Sequence, residues 1–325
     1  MTDSGLAAHR VRQTLRDFLS ERVEAGDFVV LGVSGGADSL ALASAAASIA
    51  DELAVTFVPV IVDHQLQPGS AQTAETALRQ CLGLGLTESR IFTVEVDSGS
   101  GDGLEAAARA ARYTALRAVA AELGARAIAV AHTVGDQAET VLLRLARGSG
   151  SRAIAAMQPV AGDIWRPLLK LERSILRASL VHYGLVAHED AHNEDPRFLR
   201  SRVRHELMPM LRDVLGHDIE ASLAKTAELV GEDAEALDAS AANIFKYSHI
   251  DGELDCTGFG PIPAAITRRV VRLWLLEKGA SAAGLSRLHI ESVHRLGVDP
   301  TVSGPVKVVG GIEVAVASGR LRVLN

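Results

Sequence analysis

The sequence predicts an α/β protein: a doubly wound, mainly parallel sheet followed by a second, smaller, mainly helical domain that ends in a β-hairpin. Three observations point there. From residue 28 to about residue 147, apolar β-branched runs alternate with alanine-rich helical stretches, the pattern of a parallel sheet covered on both faces. The polar clusters of this region fall where a strand gives way to a helix, the rim at which such sheets bind ligands. After Gly148 the texture changes to amphipathic helices, with a late hairpin signal at Gly310-Gly311,.

Phe28–Val33 reads as the first strand, with a helix over residues 38–50 after it. Residues 55–62, 91–96 and 127–131 read as further strands. Residues 71–82, Leu104–Leu123 and residues 136–147 are the helices that follow them, with right-handed crossovers expected. Arg173–Tyr183, residues 219–242, Ala264–Glu277 and residues 285–295 are the later helices. Residues 306–309 and 312–316 form the hairpin. A chain of 325 residues suits two domains,, and the change in texture puts their boundary near Gly216, giving residues 1–216 and 217–325.

A hydrophobic content of 48% against 22% charged residues supplies a core and excludes disorder,. A net charge of -7 excludes a uniformly basic surface, so any nucleic-acid contact has to come from local patches,. Cys81 and Cys256 form neither a CxxC pair nor a zinc spacing, so a reducing compartment is expected,. The first ten residues lack an apolar signal core,. The longest apolar run, residues 40–50, carries serines and falls short of the roughly 20 residues of a membrane span,. A soluble cytoplasmic protein with no membrane partner is the expectation.

Five blocks carry chemistry. The first is Ser34-Gly35-Gly36-Ala37-Asp38-Ser39, between a strand and a helix. Its glycines let backbone amides approach a phosphate, and the helix adds its positive end. Asp38 is the candidate ligand for the Mg²⁺ that accompanies a polyphosphate. The absence of GKS or GKT separates it from a Walker A loop, and an ordinary capped turn is the alternative. The second block, Asp63 to Gln67, puts His64 at a strand end for nucleotide contact; the alternative is a satisfied loop-end pair. The third is Glu105, Arg109, Arg112 and Tyr113, in which Glu105 and Arg109 share a helix face and suit a surface ion pair equally well.

The fourth block runs from His132 through Asp136 and Glu139 to Arg147-Gly148-Ser149-Gly150. Two acids three apart share one helix face. Acids that complement the helix dipole account for one of them, but not for a histidine, both acids and that exit together. The fifth block, residues 188–211 with its edge, sets Arg197, Arg200, Arg202, Arg204 and Arg212 on an acidic chain. It reads either as a phosphate-binding segment or as a solvated helix face.

The first block resembles the PP-loop of the N-type ATP pyrophosphatases, Rossmann-like enzymes that cleave ATP between the α and β phosphates and adenylate a substrate. Taken in order, the blocks resemble the tRNA(Ile)-lysidine synthetase family to about Leu211, roughly two-thirds of the chain. The family shows SGGxDS, DHxLR, a helix with ExxAR and RY, AHTxxDQxETxLLRLxRGSG, RPLL (here Arg166-Pro167-Leu168-Leu169) and DxSNxDxxFxRNRIRHELxP. Gln67, His192 and Ser201 stand where the family usually has Arg, Ser and Asn; Gln67 removes a cation from its strand end.

The resemblance implies an ATP-dependent ligase that joins free L-lysine to C2 of the wobble cytidine of tRNA(Ile) with a CAU anticodon. It proceeds through an adenylated tRNA and shifts decoding from AUG to AUA. It implies ATP contacts from Ser34, Gly35, Gly36, Ala37, Asp38, Ser39 and His64, with Mg²⁺ on Asp38. Catalytic roles fall to Asp38, His132, Asp136, Glu139, Arg202 and Arg204, and lysine binding to Asp136 and Glu139. Contact with tRNA falls to Arg109, Arg112, Arg197, Arg200, Arg202 and Arg204. Relatives are often homodimers, and a homodimer is carried as an expectation. A PP-loop tRNA thiolase and a non-catalytic nucleotide sensor are the rivals.

Overall fold

The computed structural model describes residues 2–67, 69–96, 104–148, 150–189, 197–216, 218–282 and 284–324. Ser149, His192 and the Glu105 side chain, all named above, lie outside the described residues, as does the stretch 190–196 of the basic segment. The chain divides into two compact units, Met1–Glu228 and Leu229–Asn325. The division falls within a helix, later than the change of texture at Gly216.

The first unit is built on a six-stranded sheet of order β3-β2-β1-β4-β6-β5. Its strands are β1 (Phe28–Val33), β2 (Thr56–Asp63), β3 (Arg90–Thr93), β4 (Ala127–Val130), β5 (Val160–Ala161) and β6 (Ile164–Trp165). All neighbouring pairs are parallel except β5 with β6. The order reverses direction between β1 and β4, which opens a crevice at their carboxyl ends. β3 stops at Thr93, short of the expected residue 96.

Strand side chains alternate between faces. Val29, Leu31 and Val33 join one core cluster, together with Leu15 and Leu19 of α1 (Asp3–Leu19), Leu40 and Leu42 of α2 (Ala37–Ala47), and Leu176 of α8 (Arg173–Tyr183). Val30 joins the other, with Val58, Val60, Ile128 and with Leu116 and Val119 of α5 (Leu104–Leu123). Gly32 sits where α5 crosses: an added Cβ would lie 3.2 Å from Val130 and 3.3 Å from Leu116. The alanines of α2, most of them buried, let α1 and α8 pack close against that helix.

The remaining helices of this unit are α3 (Ala50–Leu53), α4 (Ser70–Gly83), α6 (Val134–Ala146), α7 (Ser151–Ile154), α9 (Leu199–Arg202), a π-helical turn over Val203–Leu207, α10 (Met208–Leu215) and the start of α11 (Ile219–Ser248).

The second unit holds β7 (His249–Ile250), β8 (Glu253–Asp255), α12 (Ala264–Glu277), α13 (Arg287–Val298), β9 (Val306–Val308), β10 (Ile312–Ala317) and β11 (Arg320–Leu324). The expected hairpin forms, with Val308 opposite Ile312. It belongs to a five-stranded sheet of order β7-β8-β11-β10-β9. The core gathers around Trp274, whose indole N–H donates to the Gly252 carbonyl at 3.1 Å.

Candidate active site

The loop after β1 is closed by its own serines. The Ser34 amide donates to Ser39 Oγ at 3.1 Å, and Ser39 Oγ donates to the Gly36 carbonyl at 2.9 Å. Gly35 has φ 80°, and an added Cβ would come within 3.3 Å of Ala77, so only glycine fits there,. The Gly35 carbonyl accepts from the His188 amide at 2.9 Å. First-turn amides of a helix have no intrahelical acceptor, so those of α2 face the crevice end as anion donors.

At the end of β2, Asp63 is buried and its Oδ1 accepts from the Gln65 amide at 2.9 Å, which holds Gln65 at φ 54°. Asp63 therefore shapes the turn. His64 Nε2 accepts from Arg112 Nε at 3.3 Å. Burial, with Arg112 beside it, lowers the His64 pKa to about 4. Arg109 donates to the Tyr113 hydroxyl at 3.3 Å and lies 5.0 Å from the centre of its ring. Both arginines are exposed on α5.

The capping box at the start of α6 decides how Asp136 is used. Its Oδ2 accepts from the Thr133 amide at 2.9 Å and from the Thr133 hydroxyl at 2.8 Å,. Its Oδ1 is thereby turned outward, and Arg173, Arg200 and Arg204 donate to it at 3.2, 3.3 and 3.0 Å. Burial pushes the Asp136 pKa up, but the guanidinium groups outweigh it and hold the carboxyl down to about 2.

Glu139, one turn on and 2% exposed, accepts from Arg200 Nε at 2.8 Å and from Arg204 Nε at 2.6 Å. Arg173 Nε reaches the third carboxylate, Asp38 Oδ2, at 3.0 Å. Burial raises the Asp38 carboxyl against the pull of Arg173. Three carboxylates thus meet three guanidinium groups.

Helical spacing sorts the basic segment. Arg200 and Arg204 are four apart and face α6 together. They are anchored by Val203 and Met208, which pack with Ala138 of α6. Arg202, between them, faces out and pairs with Glu206 at 3.1 Å, both side chains more than half exposed. Arg197 is also exposed. The structure therefore brings Asp38, Asp136, Glu139, Arg200 and Arg204 together. Arg202 and Arg197 are exposed, and Arg109 and Arg112 lie on α5 beside Tyr113 and His64.

His132, at the end of β4, is lowered to about 4, chiefly by burial. Its Nδ1 is buried and has no partner among the described residues. Sequence reasoning missed Arg173, whose signal was an arginine four residues past the RPLL block at a helix start.

The donor set fits a hard cation in one way. Asp38 Oδ1 is buried without a hydrogen-bond partner among the described residues, which suits an oxygen ligand of Mg²⁺. No group of three His, Cys, Asp or Glu there forms a metal cage, so such an ion would draw its other ligands from phosphate and water.

Comparison with known proteins places this architecture. Residues 7–211 match the PP-loop domain family. Residues 254–321 match the TilS substrate binding domain family. A tRNA(Ile)-lysidine synthase of Rhodococcus erythropolis is 44% identical over 87% of this chain and 84% of its own. The chain belongs to the tRNA(Ile)-lysidine synthase family. A second member, from Salinispora tropica, is 41% identical over 97% of this chain and 96% of its own. Among solved structures, the U34-tRNA thiolase NcsA of Methanococcus maripaludis, with its 4Fe-4S cluster, is similar with a TM-score of 0.59, covering 70% of this chain and 80% of that one. At 17% identity this likeness concerns the fold alone.

Proposed function

We propose that the chain forms lysidine on tRNA(Ile), with ATP as co-substrate, in two steps at the crevice between β1 and β4. The C2 oxygen of the wobble cytidine attacks the α-phosphorus and pyrophosphate leaves. An amine of free lysine then attacks C2, AMP leaves with the oxygen, and the amine proton passes to a base. The observation that carries this reading is the meeting of a phosphate loop with the Asp136–Glu139 pair through the Arg173 guanidinium, which reaches both Asp38 and Asp136. ATP brings anionic phosphates and lysine brings a cation, and both signs of charge are provided for within one cluster.

In this reading residues 34–39 and the first turn of α2 hold the pyrophosphate, with His64 at the nucleoside side. Mg²⁺ on Asp38 would neutralise charge as pyrophosphate departs. Asp136 and Glu139 bind the lysine ammonium. Because Arg200 and Arg204 already balance these acids, they transfer to phosphate as the substrates arrive and leave a carboxylate edge for the ammonium. His132, neutral near pH 7, is a proton acceptor for the attacking amine.

Residues 1–216 carry the chemistry and residues 217–325 bind tRNA, with Arg109, Arg112, Arg197 and Arg202 adding phosphate contacts. Cytoplasmic placement suits a tRNA substrate, and no described helix is long and apolar enough to cross a membrane. The homodimer is carried over from the resemblance alone, and sedimentation velocity tests it.

The thiolase reading is disfavoured by the cysteines. The chain has two, Cys81 and Cys256, both buried, and burial pushes their thiols up to about 11 and about 12. Neither is a ready thiolate. Pyrophosphate release with tRNA(Ile), measured with and without lysine, tests the proposal: release should require tRNA, and turnover should require lysine. Release that ignores tRNA would sink it.

A further inference from the structure

We propose that Arg173 is a positioning residue: it holds Asp38 so that one carboxylate oxygen is presented to the metal of the bound nucleotide, and it ties that carboxylate to Asp136. The inference rests on the reading of Asp38 as the metal ligand.

Four observations carry it. The Arg173 fork is divided between two acids: Nε to Asp38 Oδ2 at 3.0 Å and Nη2 to Asp136 Oδ1 at 3.2 Å. The other oxygen of Asp38 is buried and has no partner among the described residues. The residue is built on a rigid base, since α8 buries Leu176, Ser179 and Leu180 against α1 and α2. Finally, Arg173 is the first residue of α8. A cation there opposes the helix macrodipole, so the stability of α8 gives no reason for an arginine at that point.

The planar guanidinium is what the geometry needs. Its two N–H groups diverge in one plane and meet two carboxylates from different elements, α2 and α6. A lysine is a single flexible point charge and fixes neither acid's orientation. Arg173 thus joins the element that grips ATP to the element proposed to grip lysine. Its hydrogen bonds go to Asp38 and Asp136, and the role proposed for it passes through Asp38.

The test uses the full chain with Mn²⁺ and α,β-methylene-ATP, followed by electron paramagnetic resonance. Nucleotide affinity is measured in parallel with metal and in EDTA. Arg173→Met should weaken the metal-dependent affinity about tenfold or more while leaving affinity in EDTA within about twofold, the scale of losing a charged hydrogen bond at the ligand rather than at the nucleotide. Arg173→Lys should keep the fold and recover only part of the loss, and it supplies the same readout if the methionine variant is unstable.

Asp38→Asn is the control arm. If it weakens metal-dependent binding and Arg173→Met and Arg173→Lys do not, the positioning role is overturned and the metal reading stands. If Asp38→Asn leaves metal-dependent binding intact, the metal reading itself fails. An equal loss with metal and in EDTA would make Arg173 a general structural residue and overturn the proposal.

Discussion

Two sets of arginines leave the same short stretch of chain and meet different fates. Arg200 and Arg204 turn inward to the buried Asp136 and Glu139, with 30% and 22% of their side chains exposed. Arg202 turns outward to an exposed Glu206. The residue type is the same, and the helical step separates the roles. The inward guanidinium groups are held in place by buried carboxylates. The outward one has a solvated partner, little held energy, and is available to a phosphate.

Breaking the inner cluster at its metal end should have the largest effect. Asp38→Asn is expected to lower tRNA-dependent pyrophosphate release by about a hundredfold or more, on the scale of losing a preorganised electrostatic group. The fold should persist, because the unpartnered Oδ1 contributes no hydrogen bond to it. Near-normal release in a folded variant would remove Asp38 from the mechanism.

Next comes Glu139→Gln. The amide cannot accept from both arginines on both oxygens, so an unfolding titration should register a loss of about 2 kcal/mol, discounted from the buried-pair value because the arginines keep contact with solvent. Function should separate by step. The lysine concentration for half-maximal lysidine formation should rise about tenfold, with ATP affinity changed far less. If pyrophosphate release fails outright and added lysine has no effect, Glu139 serves the nucleotide instead.

Arg202→Ala should do less. Its urea midpoint should match the parent, since both partners of its pair are exposed. Affinity for tRNA should fall evenly across sequences, with the slope of log affinity against log salt reduced by about 1. An unchanged slope would return Arg202 to an ordinary solvated face.

The last effect is confined to acid pH and vanishes near neutrality. His64 and His132 both sit at about 4 in the folded chain against an ordinary 6.5. Between these values the unfolded chain takes up more protons, so stability is full above about pH 6.5 and falls as pH drops through 4. Replacing both histidines by glutamine should flatten the melting temperature over that window and leave it unchanged near pH 7. An equally steep acid dependence in the double variant would assign the loss to other groups.

Much of this was legible in the sequence where local signals agree. β1, α5, α8 and α12 have the bounds that their apolar patterns and end signals mark. The helix α1 was not read, although Val11, Leu15 and Leu19 lie on one face of it, because charged residues crowd the gaps between them. β7 and β8 have two and three residues, too few for alternation to mark them, and β11, although Arg320-Leu321-Arg322-Val323 alternates, buries only Leu321 fully.

The acids of the site were readable from their spacing on one helix. Their partners were not: Arg173 lies 135 residues from Asp38 and 37 from Asp136, and pairing over such distances is a product of the fold. The two acids are met in the fold by the chain's own guanidinium groups, Arg200 and Arg204, which a local reading of two acids does not supply.

The central claim is that this crevice joins lysine to a tRNA base. The most direct test incubates the protein with ATP, isotopically labelled lysine and tRNA(Ile) bearing a CAU anticodon, then digests the tRNA and weighs its nucleosides. The account predicts a labelled nucleoside with the mass of cytidine plus lysine less one water, formed only with ATP and lost in Asp38→Asn. A thiolated nucleoside, or unchanged cytidine after ATP has been consumed, would contradict it.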